Sequence, residues 1–135
     1  MVGRRSTWLA VAAGGALGGL ARAGVDLGAW AGGAANLWAI LLVNLAGAGL
    51  LGAVIGHGTP SWSPALRAGV TTGFLGSFTT FSAIMTGWLG LTLVPDPVLG
   101  LTYIAATFIA GCLSAYGGLE AGKWWRSVNT AEASS

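Results

Sequence analysis

Long apolar runs alternate with short polar interruptions along the whole chain. About 20 predominantly apolar residues carry a helix across roughly 30 Å of hydrocarbon, and four runs approach or meet that length: residues 8–28, 37–56, 66–94 and 98–121. The second is broken only by Asn44. The third has no charge from Ala68 to Val94 but is rich in Ser, Thr and Gly, and the fourth is uncharged from Val98 to Leu119. Helix breakers mark the linkers at Gly28 to Asn36, Gly56 to Pro64 and Pro95-Asp96-Pro97. The pattern predicts an all-α integral membrane protein whose residues 1–126 form one domain of four transmembrane helices. The polar residues 127–135 read as a short disordered tail.

The first run is the least regular. Arg4-Arg5 ahead of it and Ala21-Arg22-Ala23 behind it imitate a cleavable signal peptide. Three further runs follow, however, and Gly14/Gly18 and Gly15/Gly19 place small residues four apart, the spacing that close helix packing in lipid requires. A retained, packed first helix is the expectation.

Composition agrees with the pattern. Hydrophobic residues make up 54% and charged residues 7%, against about 45–50% and about 25% in soluble domains, so water is not the solvent. The net charge of +2 does not point to nucleic acid, because the six basic residues form no patch interleaved with exposed aromatics. Arg4, Arg5, Arg67, Lys123 and Arg126 fall on the face shared by both termini and only Arg22 on the other, which predicts cytoplasmic termini in the plasma membrane. Trp8, Trp30, Trp38, Trp62, Trp124 and Trp125 lie near predicted span ends, as interfacial anchors do, whereas Trp88 falls inside the third run. Cys112 is alone, so no intrachain disulfide forms.

Catalytic chemistry finds no footing. His57, the sole histidine, sits in a Gly/Pro/Ser loop without an acidic neighbour in sequence, and no Asp or Glu lies near the middle of a run, which leaves proton-coupled transport without its usual carrier. Passive conduction is the more economical reading, and the chain is not expected to be an enzyme. Arg22 reads either as an i,i+4 partner of Asp26 or as a charge drawing anions to a pore mouth. Asn44 must find a hydrogen-bond partner, on another helix or on a dehydrated anion. The strongest local signal is Gly73-Phe74-Leu75-Gly76-Ser77-Phe78-Thr79-Thr80-Phe81-Ser82. Its glycines, serine and threonines weaken a helix in mid-span, and a break there would free carbonyls that suit an alkali cation. Phe74, Phe78 and Phe81 follow i, i+4, i+7 spacing, an ordinary packing stripe on an unbroken helix. A ring edge turned toward a narrow path could also steady a small anion.

Taken with Gly14-Gly15 followed by Arg22 and with Val43-Asn44-Leu45-Ala46-Gly47, that block resembles the CrcB/Fluc family of fluoride channels, and the similarity runs from Gly14 to about Gly122. The resemblance implies an antiparallel dimer of four-helix subunits with a broken third helix and two fluoride paths along the subunit interface. It also implies a central structural sodium ion that is not transported, held by main-chain carbonyls of Gly76 and Thr79 from each subunit. On the anion path it places Asn44, Phe81, Arg22, Thr80 and Ser82, with Tyr103 and Thr107 on a polar track in the fourth helix. The implied role is passive escape of fluoride from the cytoplasm. Fluoride as the ion follows from the resemblance alone.

Two departures stand out. Ile84 occupies a position where the family commonly has a second phenylalanine, and Ile40 one that is often Thr. The one-sided distribution of Lys and Arg also conflicts with a homodimer that must insert both ways, and predicts an oppositely biased paralogue as partner. The competing readings are a four-span small multidrug-type exporter, which would need a membrane-embedded Glu in its first helix that this chain lacks, and a non-transporting scaffold. The scaffold would use Gly52/Gly56 and Gly118/Gly122 as assembly faces.

Overall fold

A computed structural model describes residues 2–31, 37–92 and 97–132, and every described element is helical. Helix α1 spans Val2–Ala31, α2 Leu37–His57 and α6 Pro97–Glu132. Between α2 and α6 lies a composite third segment: α3 (Pro64–Ala68), a π-helical stretch (Gly69–Leu75), α4 (Gly76–Phe78) and α5 (Phe81–Thr92). Parts of two predicted linkers, residues 32–36 and 93–96, lie outside the described residues, as do the last two positions of the third run, the side chain of Trp30 and residues 133–135.

Among the described residues three helices are long and apolar enough to cross a membrane: Gly3–Gly28, Leu37–His57 and Val98–Ala131. The chain is therefore a membrane protein. The third run is absent from that set because its helical pieces are each too short to qualify.

Helix ends differ most from the sequence reading in two places. α1 begins at Val2 rather than residue 8, its first turns held by Ser6 and Thr7 hydroxyls that donate to the Gly3 carbonyl at 3.0 and 2.8 Å. α6 continues to Glu132, so residues 127–132 are helix where a disordered tail was expected. Ser127 and Thr130 each donate their hydroxyl back to a carbonyl one turn earlier, at 2.7 Å and 2.9–3.1 Å, which keeps these turn-favouring residues inside the helix. Polarity set the end of the apolar run; it did not end the helix.

The chain packs as two helix pairs. α1 lies along the α3–π–α4 segment, and α2 along α6, with α5 against α6. Small residues make both approaches. At Gly14 and Gly18 a Cβ would collide with the Gly69 and Phe74 carbonyls, so only glycine lets the two backbones meet. Gly15 faces the Ser77 hydroxyl more loosely and Gly19 faces open space, so Gly14/Gly18 is the packing pair of α1. In the second pair, Gly52 and Gly56 face α6, while Gly118 and Gly122 face α2. The glycine faces that a scaffold would present to partners are consumed within the chain.

Few side chains are buried. Leu75 is the only apolar core residue among those described, while Leu9, Leu20, Trp38, Leu113 and many other large apolar groups are exposed. Such a surface would aggregate in water. In lipid it is ordinary, because helix association there rests on close packing and hydrogen bonds.

Candidate functional site

The helical backbone is interrupted between α4 and α5. Thr79 takes φ −83° and ψ 144°, an extended conformation between two helical stretches. Its N–H still donates to the Leu75 carbonyl at 3.1 Å, and its hydroxyl donates to the same carbonyl at 3.0 Å. The next N–H, that of Thr80, turns away from the helix and donates to Asn44 Oδ1 at 2.8 Å. Gly76 thereby loses to a side chain on α2 the donor that a continuous helix would have given its carbonyl.

Asn44 completes the clasp. Its Nδ2 donates to the Ile40 carbonyl at 3.0 Å and reaches the Thr80 carbonyl at 3.4 Å. One amide so meets both the N–H and the carbonyl of a residue 36 positions away while also donating to Ile40, three bonds that an aliphatic side chain could not make. The partner demanded by a polar residue in mid-span is thus the interruption itself.

Beside the clasp a cavity of about 200 Å³ opens, lined by Asn44, Phe81, Ile84, Thr107, Phe108 and Cys112 among others. Phe81 is 60% exposed and stands edge-to-face with Phe108, ring centroids 6.4 Å apart at 62°. Phe74 and Phe78 instead stack on each other at 5.8 Å, so the three-phenylalanine stripe splits: two rings pack together, and the third faces the groove. Every named lining side chain is uncharged.

Thr107 also borders a neighbouring cavity of about 320 Å³, shared with Tyr103, Trp38 and Leu91. Its hydroxyl donates to the Tyr103 carbonyl at 2.7 Å, which leaves its methyl group and oxygen lone pairs for the wall. The Tyr103 hydroxyl is buried without a partner among the described residues. Thr80 and Ser82 hydroxyls pair with each other at 2.8 Å on the exposed side of the interruption.

Arg22 lies apart, on α1, which does not pack on α5 or α6. Its Nε donates to both Asp26 oxygens, at 2.9 and 3.0 Å, the i,i+4 pair anticipated from spacing. The residue is only 6% exposed, and both terminal guanidinium nitrogens are buried without partners among the described residues. A half-satisfied guanidinium is costly in a low-dielectric setting, and its unfilled donors could receive an anion.

The structure therefore joins Asn44, Phe81 and Thr107 in one groove, with Thr80 and Ser82 at its edge, Tyr103 next door and Gly76 and Thr79 behind the clasp. Sequence reasoning did not single out Phe108, which no motif marks, or the π-helical stretch. Among the described residues no cluster of three or more His, Cys, Asp or Glu could hold a metal.

The chain is 44% identical over 120 residues to a fluoride-specific ion channel FluC of Rhodospirillum centenum, covering 84% of this chain and 90% of that protein. It is 39% identical over 121 residues to one of Gloeobacter violaceus, covering 84% and 93%. A FluC 2 of Thermobifida fusca is 41% identical over 107 residues, covering 78% and 79%. The family model described as CrcB-like protein, Camphor Resistance (CrcB) matches residues 9–119, and the chain belongs to that family.

Proposed function

We propose that this protein is one subunit of a fluoride-selective channel that lets fluoride leave the cell passively. The observation that carries the reading is the groove at the interruption, where Asn44, Phe81 and Thr107 meet with no charged side chain among the named lining. The positive ring edges of Phe81 and Phe108 can steady a small anion there, whereas a fixed charge in the groove would hold it too long for conduction. The name of the relatives supplies the ion. Conduction, not catalysis, is the activity.

The third segment then acts as one membrane-crossing unit broken at Thr79–Thr80. Main-chain carbonyls of Gly76 and Thr79 would hold the structural sodium ion, and they fit it: both are hard oxygens at the interruption, and Gly76 has surrendered its helical donor to Asn44. Bound there, behind the clasp, the ion would give the carbonyls freed at the interruption a partner. With two such oxygens per chain the site needs a second subunit. The exposed Phe81 and Ser82, with the half-buried Thr80, would face an antiparallel partner that completes the path. Arg22 would raise the anion concentration at its mouth. Positive residues clustered at one end favour cytoplasmic termini in the plasma membrane and an oppositely oriented paralogue as the partner.

Liposome efflux tests the reading. The chain, alone and with a four-span paralogue, is reconstituted in sodium and in sodium-free buffer, and fluoride and chloride efflux are recorded. Fluoride-selective efflux that depends on the second chain is the expected outcome. Silence from folded, inserted protein in every combination would overturn the channel reading, and full activity of the chain alone would overturn the heterodimer.

Ile84 offers a finer test. It lines the same groove as Phe81 and Phe108, so Ile84→Phe adds a third ring edge. Favourable ring contacts are worth about 0.5–1.5 kcal/mol, and the fluoride-to-chloride efflux ratio should rise by about two- to tenfold. An unchanged ratio would mean that position 84 does not face the ion.

A further inference from the structure

A third cavity, which shares no lining residue with the anion path, lies at the C-terminal end of α2. It has a volume of about 540 Å³ and is lined by Val54, His57, Thr59, Trp62, Gly122 and Trp125 among others. The lining is apolar apart from His57 and Thr59. The chain turns sharply at its edge, with φ +72° at Gly58 and φ +37° at Thr59. Glycine accepts such a φ freely, but a β-branched residue there is strained. The turn nonetheless buries Thr59 to 5% exposure, and its hydroxyl has no partner among the described residues. His57 Nδ1 is a second buried polar atom in the lining without one.

Two guanidinium groups converge on this turn. Arg67 donates to the Gly58 and Thr59 carbonyls at 2.5 and 2.9 Å and so holds the strained backbone in place. An Arg126 terminal nitrogen lies 3.2 Å from where a Cβ on Gly58 would stand, and Arg126 makes no ion pair among the described residues. The direction of the helices puts Arg4, Arg5 and Lys123 at the same end, where Glu120 is paired with Lys123 at 2.7 Å. The site is therefore an apolar slot with buried, unpartnered polar atoms and a cationic rim, flanked by tryptophans of the kind that sit at headgroup depth.

We infer that this cavity binds an anionic phospholipid. An acyl chain lies in the slot between α2 and α6, and the phosphate meets Arg126 and the Thr59 hydroxyl. Charge complementarity selects this occupant. A soluble anion would leave the apolar slot unfilled, and a zwitterionic lipid would bring no net charge to answer the rim. The site is independent of the anion path, and its test does not require conduction.

Full-length protein in detergent is titrated with phosphatidylglycerol or phosphatidylcholine of identical acyl chains. Retained lipid is read by native mass spectrometry and stability by thermal unfolding. Phosphatidylglycerol should be retained at least about fivefold more tightly, the preference that one basic residue near a membrane surface supplies. Arg126→Gln should remove most of that preference. Thr59→Gly should weaken phosphatidylglycerol retention while leaving the unliganded protein at least as stable, because glycine relieves the strained φ. Equal retention of the two lipids overturns the proposal, as does a preference that neither variant moves. Displacement of the lipid by inorganic phosphate at matched concentration would also overturn it, since the slot would then contribute nothing.

Discussion

Asn44→Leu is expected to lower fluoride efflux by about ten- to a hundredfold, because it removes the clasp that keeps the third segment open. The side chain now accepts from the Thr80 N–H at 2.8 Å and donates to the Ile40 and Thr80 carbonyls. Leucine fills similar volume and makes none of these bonds. An unpartnered N–H away from water costs about 1–3 kcal/mol, and the nearest remedy is for Thr80 to return its N–H to the Gly76 carbonyl. That step rejoins α4 to α5, removes the carbonyl proposed to face sodium and swings Phe81 out of the groove. Asn44→Asp separates the clasp from the path: it keeps the acceptor for Thr80 but loses both donors and brings a negative charge to the groove. Its efflux should also fall, yet its thermal stability should depend on sodium as the parent's does, whereas that of the leucine variant should not. Efflux from Asn44→Leu at the parental rate would show that the interruption holds without Asn44.

The contrast between what was legible in the chain and what was not follows from the range of each interaction. α2 and the apolar part of α6 could be read because an uncharged run bounded by breakers has few alternatives in lipid. That Asn44 needed a partner was legible from burial alone; that the partner is the Thr80 peptide was not, since the contact spans 36 positions. The π-helical stretch Gly69–Leu75 was not legible at all. Its Gly, Val and Thr content suits several backbone forms, and the choice sits where the α1 backbone presses on Gly69 and Gly73. Phe81 was singled out by resemblance, but Phe108 enters the groove only through the packing of α5 on α6. Glu132 marks the opposite failure, where local polarity was taken for disorder although hydroxyls bonding back to carbonyls carried the helix on.

Gly118→Leu should be the most damaging single change to the fold, larger in effect than any substitution in the groove. A Cβ at this position would collide with the Gly49 carbonyl oxygen and stand 2.8 Å from its carbon and 3.0 Å from its Cα, all of them backbone atoms that no rotamer change can move aside. The same register places Gly52 against Ala115 and Gly122 against Ala53, and brings the Ser114 hydroxyl to the Leu45 carbonyl at 2.7 Å. Forcing α2 and α6 apart at Gly118 therefore loosens the whole seam, including the wall that carries Asn44 on one side and Thr107 with Phe108 on the other. Overpacking commonly costs about 1–3 kcal/mol and occasionally more, and a seam made of backbone contact lies at the upper end because no side chain can yield. The neighbouring Gly117 is the internal control, since a Cβ there meets nothing within 4 Å in the chain. In detergent, Gly118→Leu should unfold well below the parent, while Gly117→Leu should keep the parent's thermal transition even if it disturbs assembly with a second subunit. Equal transitions for the two leucine variants would mean that α2 and α6 are not held by backbone approach. The groove would then need another support, because the α2–α6 seam is what brings Asn44 to Thr107.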